Sequence, residues 1–154
     1  MPAKIYLVSA CLLGINSRYD GGDNRSEKVL EFLKGRHAVP VCPEQLGGLP
    51  TPRRPAEICG GGGKEVLEGG AAVRCPDGTD VTEAFIRGAE QVLRIARLTG
   101  AREAILKSGS PSCGRGWIKD GSFTGSRRRG DGVTAALLLA KGCTIYDENS
   151  LPED

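Results

Sequence analysis

Three observations predict an α/β fold with a mainly parallel sheet in three layers, Rossmann-like, with long Gly- and Pro-rich loops at the carboxyl ends of its strands. Short apolar runs rich in β-formers alternate with segments of helical period, the order that builds a parallel sheet covered on both faces. The 23 glycines and 9 prolines in 154 residues make much of the chain turn and loop. Several apolar runs end directly in Ser, Cys, Gly or Pro, and in such folds the strand-to-helix loops carry function. The length suits one domain with a proper core, residues 1–154.

Ile5-Tyr6-Leu7-Val8 reads as a buried parallel strand that runs into Ser9-Ala10-Cys11. Leu12-Leu13-Gly14 and Arg18-Tyr19-Asp20-Gly21-Gly22 then form a long turn-rich loop. Ser26 can cap a helix that turns Val29, Leu30, Phe32 and Leu33 to the core, and Gly35 closes it. Ala38-Val39-Pro40-Val41 is a second strand, and Pro40 assigns it an edge position or a strand end. It leads into Cys42-Pro43-Glu44. Residues 45–54 show no period and are expected to be irregular and close to the site. Ala56 to Ile58, Lys64 to Glu68 and Ala71 to Arg74 alternate loosely between glycine clusters, which predicts a small hairpin excursion.

Asp80 with Glu83 resembles a capping box, and Val81, Phe85, Ala89, Val92 and Ala96 recur at helical spacing up to Gly100. Glu103 to Lys107 is the third strand and delivers the loop Ser108 to Gly114. Trp117 to Gly132 is expected to be loop, with Arg127-Arg128-Arg129 a solvated face of it. Val133 to Ala140 is an apolar helix ended by Gly142, and Thr144-Ile145-Tyr146 is the last strand.

The net charge of +2 is too mild to argue for a dedicated nucleic-acid or membrane surface. The first residues lack the apolar region and cleavage site of a signal peptide, and no apolar stretch approaches bilayer length, so a cytoplasmic protein is expected. In that reducing compartment the six cysteines, at 11, 42, 59, 75, 113 and 143, gain weight as ligands or nucleophiles. The absence of C-x-x-C argues against a zinc ribbon, a thioredoxin-like dithiol and a ferredoxin ligand run. Gly60 to Lys64 looks like part of a phosphate loop, but Ile58 stands where its first glycine belongs and Glu65 replaces the Ser/Thr, which excludes an NTPase.

Cys11, Cys42 and Cys113 each lie past the end of an expected strand, where the crevice of an open α/β sheet forms. A single free cysteine is most often a small buried hydrophobe, whereas three at strand ends point to one shared site. The glycines and Pro111 around Cys113 predict an exposed thiol. Soft thiolates favour iron-sulfur, zinc or copper(I), and a structural zinc would want a fourth ligand. His37 precedes its strand and so lies on the wrong side. Three thiolates with an open position suit catalysis. Glu44 is placed to act as general acid or base, Ser110 to donate a hydrogen bond or a proton, and Lys107 to neutralise a developing anion. Cys59, Cys75 and Cys143 do not share the strand-end setting.

The motifs Val8-Ser9-Ala10-Cys11-Leu12-Leu13-Gly14, Arg18-Tyr19-Asp20-Gly21, Cys42-Pro43-Glu44, Gly47-Gly48-Leu49, Pro52-Arg53, Ser110-Pro111-Ser112-Cys113-Gly114 and Asp120-Gly121-Ser122-Phe123 resemble, in this order, those of the TudS-type thiouracil desulfidases. The resemblance spans nearly the whole chain, and longer relatives carry an added C-terminal domain. It implies a [4Fe-4S] cluster on Cys11, Cys42 and Cys113, with the fourth iron open as a Lewis acid toward the sulfur of a thiolated pyrimidine. Water replaces that sulfur at carbon with no net electron transfer. On this reading Glu44 activates the water, Ser110 assists proton transfer or orients the base, and Asp20 and Lys107 bind substrate. Trp117-Ile118-Lys119 departs from the family pattern, which has an aromatic just ahead of the aspartate. The implied partner is 2- or 4-thiouracil or a thiolated nucleoside, with no membrane and no obligate protein partner. Arg127 to Arg129 is the only hint of thiolated tRNA. Two other readings remain: a non-catalytic metal-binding or redox-sensing domain, and a metal-free enzyme with Cys113 as nucleophile.

Overall fold

The computed structural model describes residues 3–153. Its centre is a four-stranded sheet of β1 (Ile5–Ser9), β2 (His37–Val41), β5 (Glu103–Ile105) and β8 (Thr144–Tyr146), in the order β2-β1-β5-β8. All its neighbours are parallel, with Leu7 opposite Val39 and Ala104, and Ala104 opposite Ile145. Pro40 is tolerated because β2 is an edge strand.

The alternation along β1 explains why both faces are covered. Tyr6 and Val8 pack with Val29 and Phe32 of α1 (Glu27–Leu33) on one side. Leu7 points the other way, to Val92 and Ala96 of α4 (Thr82–Thr99) and Leu138 of α5 (Val133–Ala140). Ser26 caps α1 as its sequence requires, its hydroxyl accepting from the Val29 amide at 3.3 Å. Gly100 ends α4 in the left-handed conformation.

Four expectations are corrected. Residues 43–46 form a short helix, α2 (Pro43–Leu46), with Pro43 in its first turn, so residues 45–54 are not irregular throughout. Lys64 to Leu67 lies in helix α3 (Gly63–Leu67), because a cap at Gly62 completed by Glu65 outweighs the loose alternation. The expected hairpin survives as β3 (Glu57–Cys59) paired antiparallel with β4 (Ala72–Arg74). Within the expected loop 117–132, β6 (Trp117–Lys119) pairs antiparallel with β7 (Arg127–Arg129). The alternation Trp117 out, Ile118 in, Lys119 out is too short to read as a strand alone. Finally, Asp80 does not cap α4: its carboxylate accepts from the Thr82 amide, and Val81 occupies the cap position.

A second core of Ile58, Val66, Val73, Phe85, Ile118 and Val133 ties these outlying hairpins to α4 and α5. It builds a wall beyond the carboxyl edge of the main sheet, and the site lies between that wall and the strand ends. Among the described residues, no helix is long and apolar enough to cross a membrane.

Candidate active site

The chain leaves β1 toward β2 and leaves β5 toward β8, on the opposite side of the sheet. The crevice between β1 and β5 is therefore the point where loops diverge, and α/β sheets bind ligands there. A cavity of about 760 Å³ opens at this place, and Cys11, Cys42, Glu44, Lys107, Ser110 and Cys113 all line it. Leu49, Pro50, Ala56, Val81 and Phe85 add apolar surface to the lining, beside Arg54, Glu57 and Lys119. A lining that combines polar groups with apolar surface suits a flat heterocycle.

Each thiol is delivered by local structure. Cys11 sits in a 3-10 turn, Ala10–Leu13, continuing directly from β1, with Gly14 left-handed at its end. Cys42 is the residue between β2 and α2, so Glu44 falls in the first turn of α2 and faces the same space. Cys113 lies in the turn at 111–113, closed by the Gly114 amide donating to the Ser110 carbonyl at 2.8 Å. It is not the exposed thiol that its flanking glycines suggest, being only 4 % exposed. Gly114 and Gly132 are required there by close approach: a Cβ at Gly132 would stand 2.4 Å from the Ser112 carbonyl carbon. The small residues bring two backbone segments together over the cysteine and leave it open only to the cavity.

Burial pushes all three thiols above the ordinary cysteine range. For Cys42 and Cys113 the negative charge of Glu44 adds to that, and for Cys11 a hydrogen bond with Asn24 partly offsets it. The rise is largest at Cys113. Thiolates here need a strong local positive charge, and a cationic metal centre supplies one. Among the described residues, no three Cys, His, Asp or Glu side chains close on one point as a single ion requires. Cys11, Cys42 and Cys113 line one cavity, and soft thiolate donors of this kind fit an iron-sulfur cluster.

Glu44 is held from two sides. The Ser112 hydroxyl donates to its Oε1 at 2.8 Å, and the Arg53 guanidinium stands 3.9 Å from its Oε2. Arg53 is 8 % exposed and also donates to the Ser17 carbonyl at 2.8 Å, which anchors it below Cys42. Ser112 is fully buried and does not line the cavity. Its single hydroxyl hydrogen goes to the carboxylate, so the 3.1 Å contact between the Ser110 and Ser112 hydroxyls is donated by Ser110. Ser110 Oγ in turn accepts from the Ser112 and Cys113 amides at 3.2 and 3.1 Å. Ser110 therefore shapes the cysteine loop as well as lining the cavity.

Lys107 lines the cavity with its ammonium 2.9 Å from Glu148 Oε2. Asp20 does not join the others. It lies outside the cavity lining, where its carboxylate accepts from Arg18 and the Gly22 amide and holds the 18–22 turn. His37 begins β2 at the far end of the strand and is exposed. Among the other cysteines, Cys75 is buried and lines the cavity. The Cys59 thiol turns to the Glu57 and Gly121 carbonyls, and Cys143 packs on the core beneath α5.

Sequence reasoning assigned no role to Ser112, Arg53, Glu57 or Glu148. Ser112 and Arg53 stand only as members of motifs. Glu57 is a buried carboxylate that lines the cavity, accepts from the Gly121 and Phe123 amides at 3.0 and 3.2 Å and fixes the turn at 120–123 behind it. Its partners lie more than sixty residues away, so nothing local marks it.

A parallel α/β sheet with a thiol-lined cavity at its carboxyl edge, and a half-buried carboxylate beside the thiols, is the setting of a cofactor-dependent enzyme rather than of a structural metal domain. The chain belongs to the 2-thiouracil desulfurase family, whose sequence model matches residues 6–150. It is 48% identical over 145 residues to YbbK of Bacillus subtilis strain 168, described as uncharacterized, across 94% of this chain and 96% of that protein. Its fold is similar to a solved structure described as the [4Fe-4S]-dependent thiouracil desulfidase TudS, with 45% identity and a TM-score of 0.85, covering 97% of this chain and 93% of that one.

Proposed function

We propose that residues 1–154 form one desulfidase domain on a three-layer, Rossmann-like frame, which exchanges the sulfur of a thiolated pyrimidine for oxygen, releasing sulfide without net redox change. The observation that carries this reading is the shared cavity of Cys11, Cys42, Cys113 and Glu44 at the point where the loops diverge. The three cysteines would hold a [4Fe-4S] cluster. When bound, that cluster supplies a soft Lewis acid for the thiocarbonyl sulfur.

The remaining work falls to this chain's own groups. The apolar wall of Leu49, Val81 and Phe85 receives the ring and keeps bulk water out. Glu44, with Oε1 engaged by Ser112, presents its other oxygen as the base that takes a proton from the attacking water. Arg53 balances its charge. Ser110 lines the cavity, and rotation of its hydroxyl from Ser112 Oγ toward the substrate would let it assist the proton transfer that lets sulfide leave. Lys107 offsets negative charge developing on the ring. One water enters and one hydrogen sulfide leaves, so atoms and electrons balance.

The buried Cys113 speaks against the metal-free nucleophile, since burial and Glu44 both oppose its thiolate. Free thiouracil or a thiolated nucleoside is the substrate class proposed. The test is anaerobic purification with iron and acid-labile sulfide quantitation, followed by thiouracil turnover read as loss of the thiocarbonyl absorbance and release of sulfide. Equal iron and sulfide with turnover is the expected result. Fully loaded protein that leaves both 2- and 4-thiouracil intact would overturn it.

A further inference from the structure

The segment after β8 reaches back into the site. Asp147 and Ser150 close a small turn, and the Asn149 amide donates to the Asp147 carboxylate at 2.8 Å. This turn presents Glu148, whose side chain is only 15 % exposed, to the end of β5 forty residues earlier. Glu148 Oε1 accepts from the Ser108 amide at 2.9 Å. Its Oε2 accepts from the Ser108 hydroxyl at 2.8 Å and pairs with the Lys107 ammonium at 2.9 Å. All three donors belong to two adjacent residues that line the cavity. From the opposite side, the Ser9 hydroxyl accepts from the Lys107 amide at 2.9 Å.

A carboxylate this enclosed is costly to bury, and here donors of the substrate wall, Lys107 and Ser108, compensate it. The ammonium of an unpaired lysine samples many rotamers, whereas this one is folded back onto Ser108 and Glu148. We propose that Glu148 is the positioning residue that fixes Lys107 and Ser108 in the cavity wall, so that the lysine meets the substrate as a preorganised cation. The proposal rests on the desulfidase reading of the cavity, within which Lys107 faces the ring.

Four proteins test it: Glu148→Ala, Glu148→Gln, Lys107→Ala and the Lys107→Ala/Glu148→Ala double variant. The glutamine keeps the side-chain volume and an acceptor for the Ser108 amide but loses the charge and the second acceptor that Lys107 and the Ser108 hydroxyl use, so it guards against a folding defect in the alanine variant. Each is assayed for kcat and KM on thiouracil, for iron content and for thermal midpoint, and amide exchange of residues 107–109 is followed in the protein as isolated. We expect Glu148→Ala and Glu148→Gln to raise KM about tenfold, the worth of one charge-assisted hydrogen bond, with iron content unchanged. The double variant should be no worse than Lys107→Ala alone. Exchange at Ser108 should quicken in Glu148→Ala. Unchanged KM in both Glu148 variants of an active enzyme, or losses that add fully to that of Lys107→Ala, would overturn the proposal. If the wild type proves inert toward thiouracil, the desulfidase reading fails, and the exchange rate alone decides whether Glu148 pins the wall.

Discussion

A single methyl group at position 88 tests how closely the site depends on the fold. Gly88 of α4 sits against α2, and a Cβ there would stand 2.0 Å from the Pro43 carbonyl oxygen, where ordinary contact begins near 3.4 Å. The obstacle is backbone, so no side chain can turn aside. The contact is reciprocal: a Cβ at Gly47, which caps α2, would stand 2.0 Å from the Ala84 carbonyl oxygen of α4, and Arg87 donates to the Gly47 carbonyl at 2.9 Å. In Gly88→Ala the two helices must part by more than 1 Å. Because α2 begins immediately after Cys42 and carries Glu44, this shift stretches the 2.8 Å bond from Ser112 to Glu44 past hydrogen-bond range. Overpacking of this kind costs about 1–3 kcal/mol, which for a chain of this size lowers the thermal midpoint by roughly 2–12 °C. The assay is thermal denaturation of the metal-free protein, followed by reconstitution with iron and sulfide and measurement of thiouracil turnover. The expected outcome is a lower midpoint and lower iron retention and turnover. A Gly88→Ala protein with the wild-type midpoint and full iron content would refute the claim that this close approach sets the position of Cys42 and Glu44.

Three further outcomes are expected. Ser112→Ala removes the hydrogen bond that orients Glu44 and should lower kcat by roughly 10- to 100-fold with KM and iron content little changed, while Ser112→Thr restores most of the rate. Cys113→Ala should abolish both iron binding and turnover, whereas Cys143→Ala should leave both largely intact; equal bleaching of the two would overturn the ligand assignment. Burial opposes ionisation of Glu148, but its bonds from Lys107 and Ser108 outweigh this and hold its carboxyl below the ordinary range. Its contribution to stability is therefore full above about pH 4.3 and is lost as pH falls through its depressed native value. Denaturation midpoints from pH 7 down to pH 3 should fall more steeply in the wild type than in Glu148→Gln, and parallel curves would count against the pairing.

Local signals carried the repeating parts of this protein. The apolar runs at Ile5 to Val8 and Ala38 to Val41, the period from Val81 to Ala96 and the cap at Ser26 are short-range features, and each became the element its sequence predicts. Placing Cys11, Cys42 and Cys113 at strand ends was enough to gather them at one cavity, because parallel strands put all their carboxyl ends on one edge. Weakly patterned segments were misread where a tertiary partner decided them. The alternation from Lys64 to Leu67 gave way to a capped helix packed on α5, and the arginine run at 127–129 became a strand by pairing with Trp117 to Lys119.

The chemical identity of the site was thus written in the chain: its residue types and motif order determined three thiols, a carboxylate and the family. What only the tertiary structure decided is how those groups are held. Ser112 on Glu44 spans 68 residues, Arg53 on the Ser17 carbonyl 36, Glu148 on Ser108 40 and Glu57 on Gly121 64. Each is a hydrogen bond between groups that no periodicity or spacing links, so their pairing exists only once the sheet and its loops have closed around the cavity.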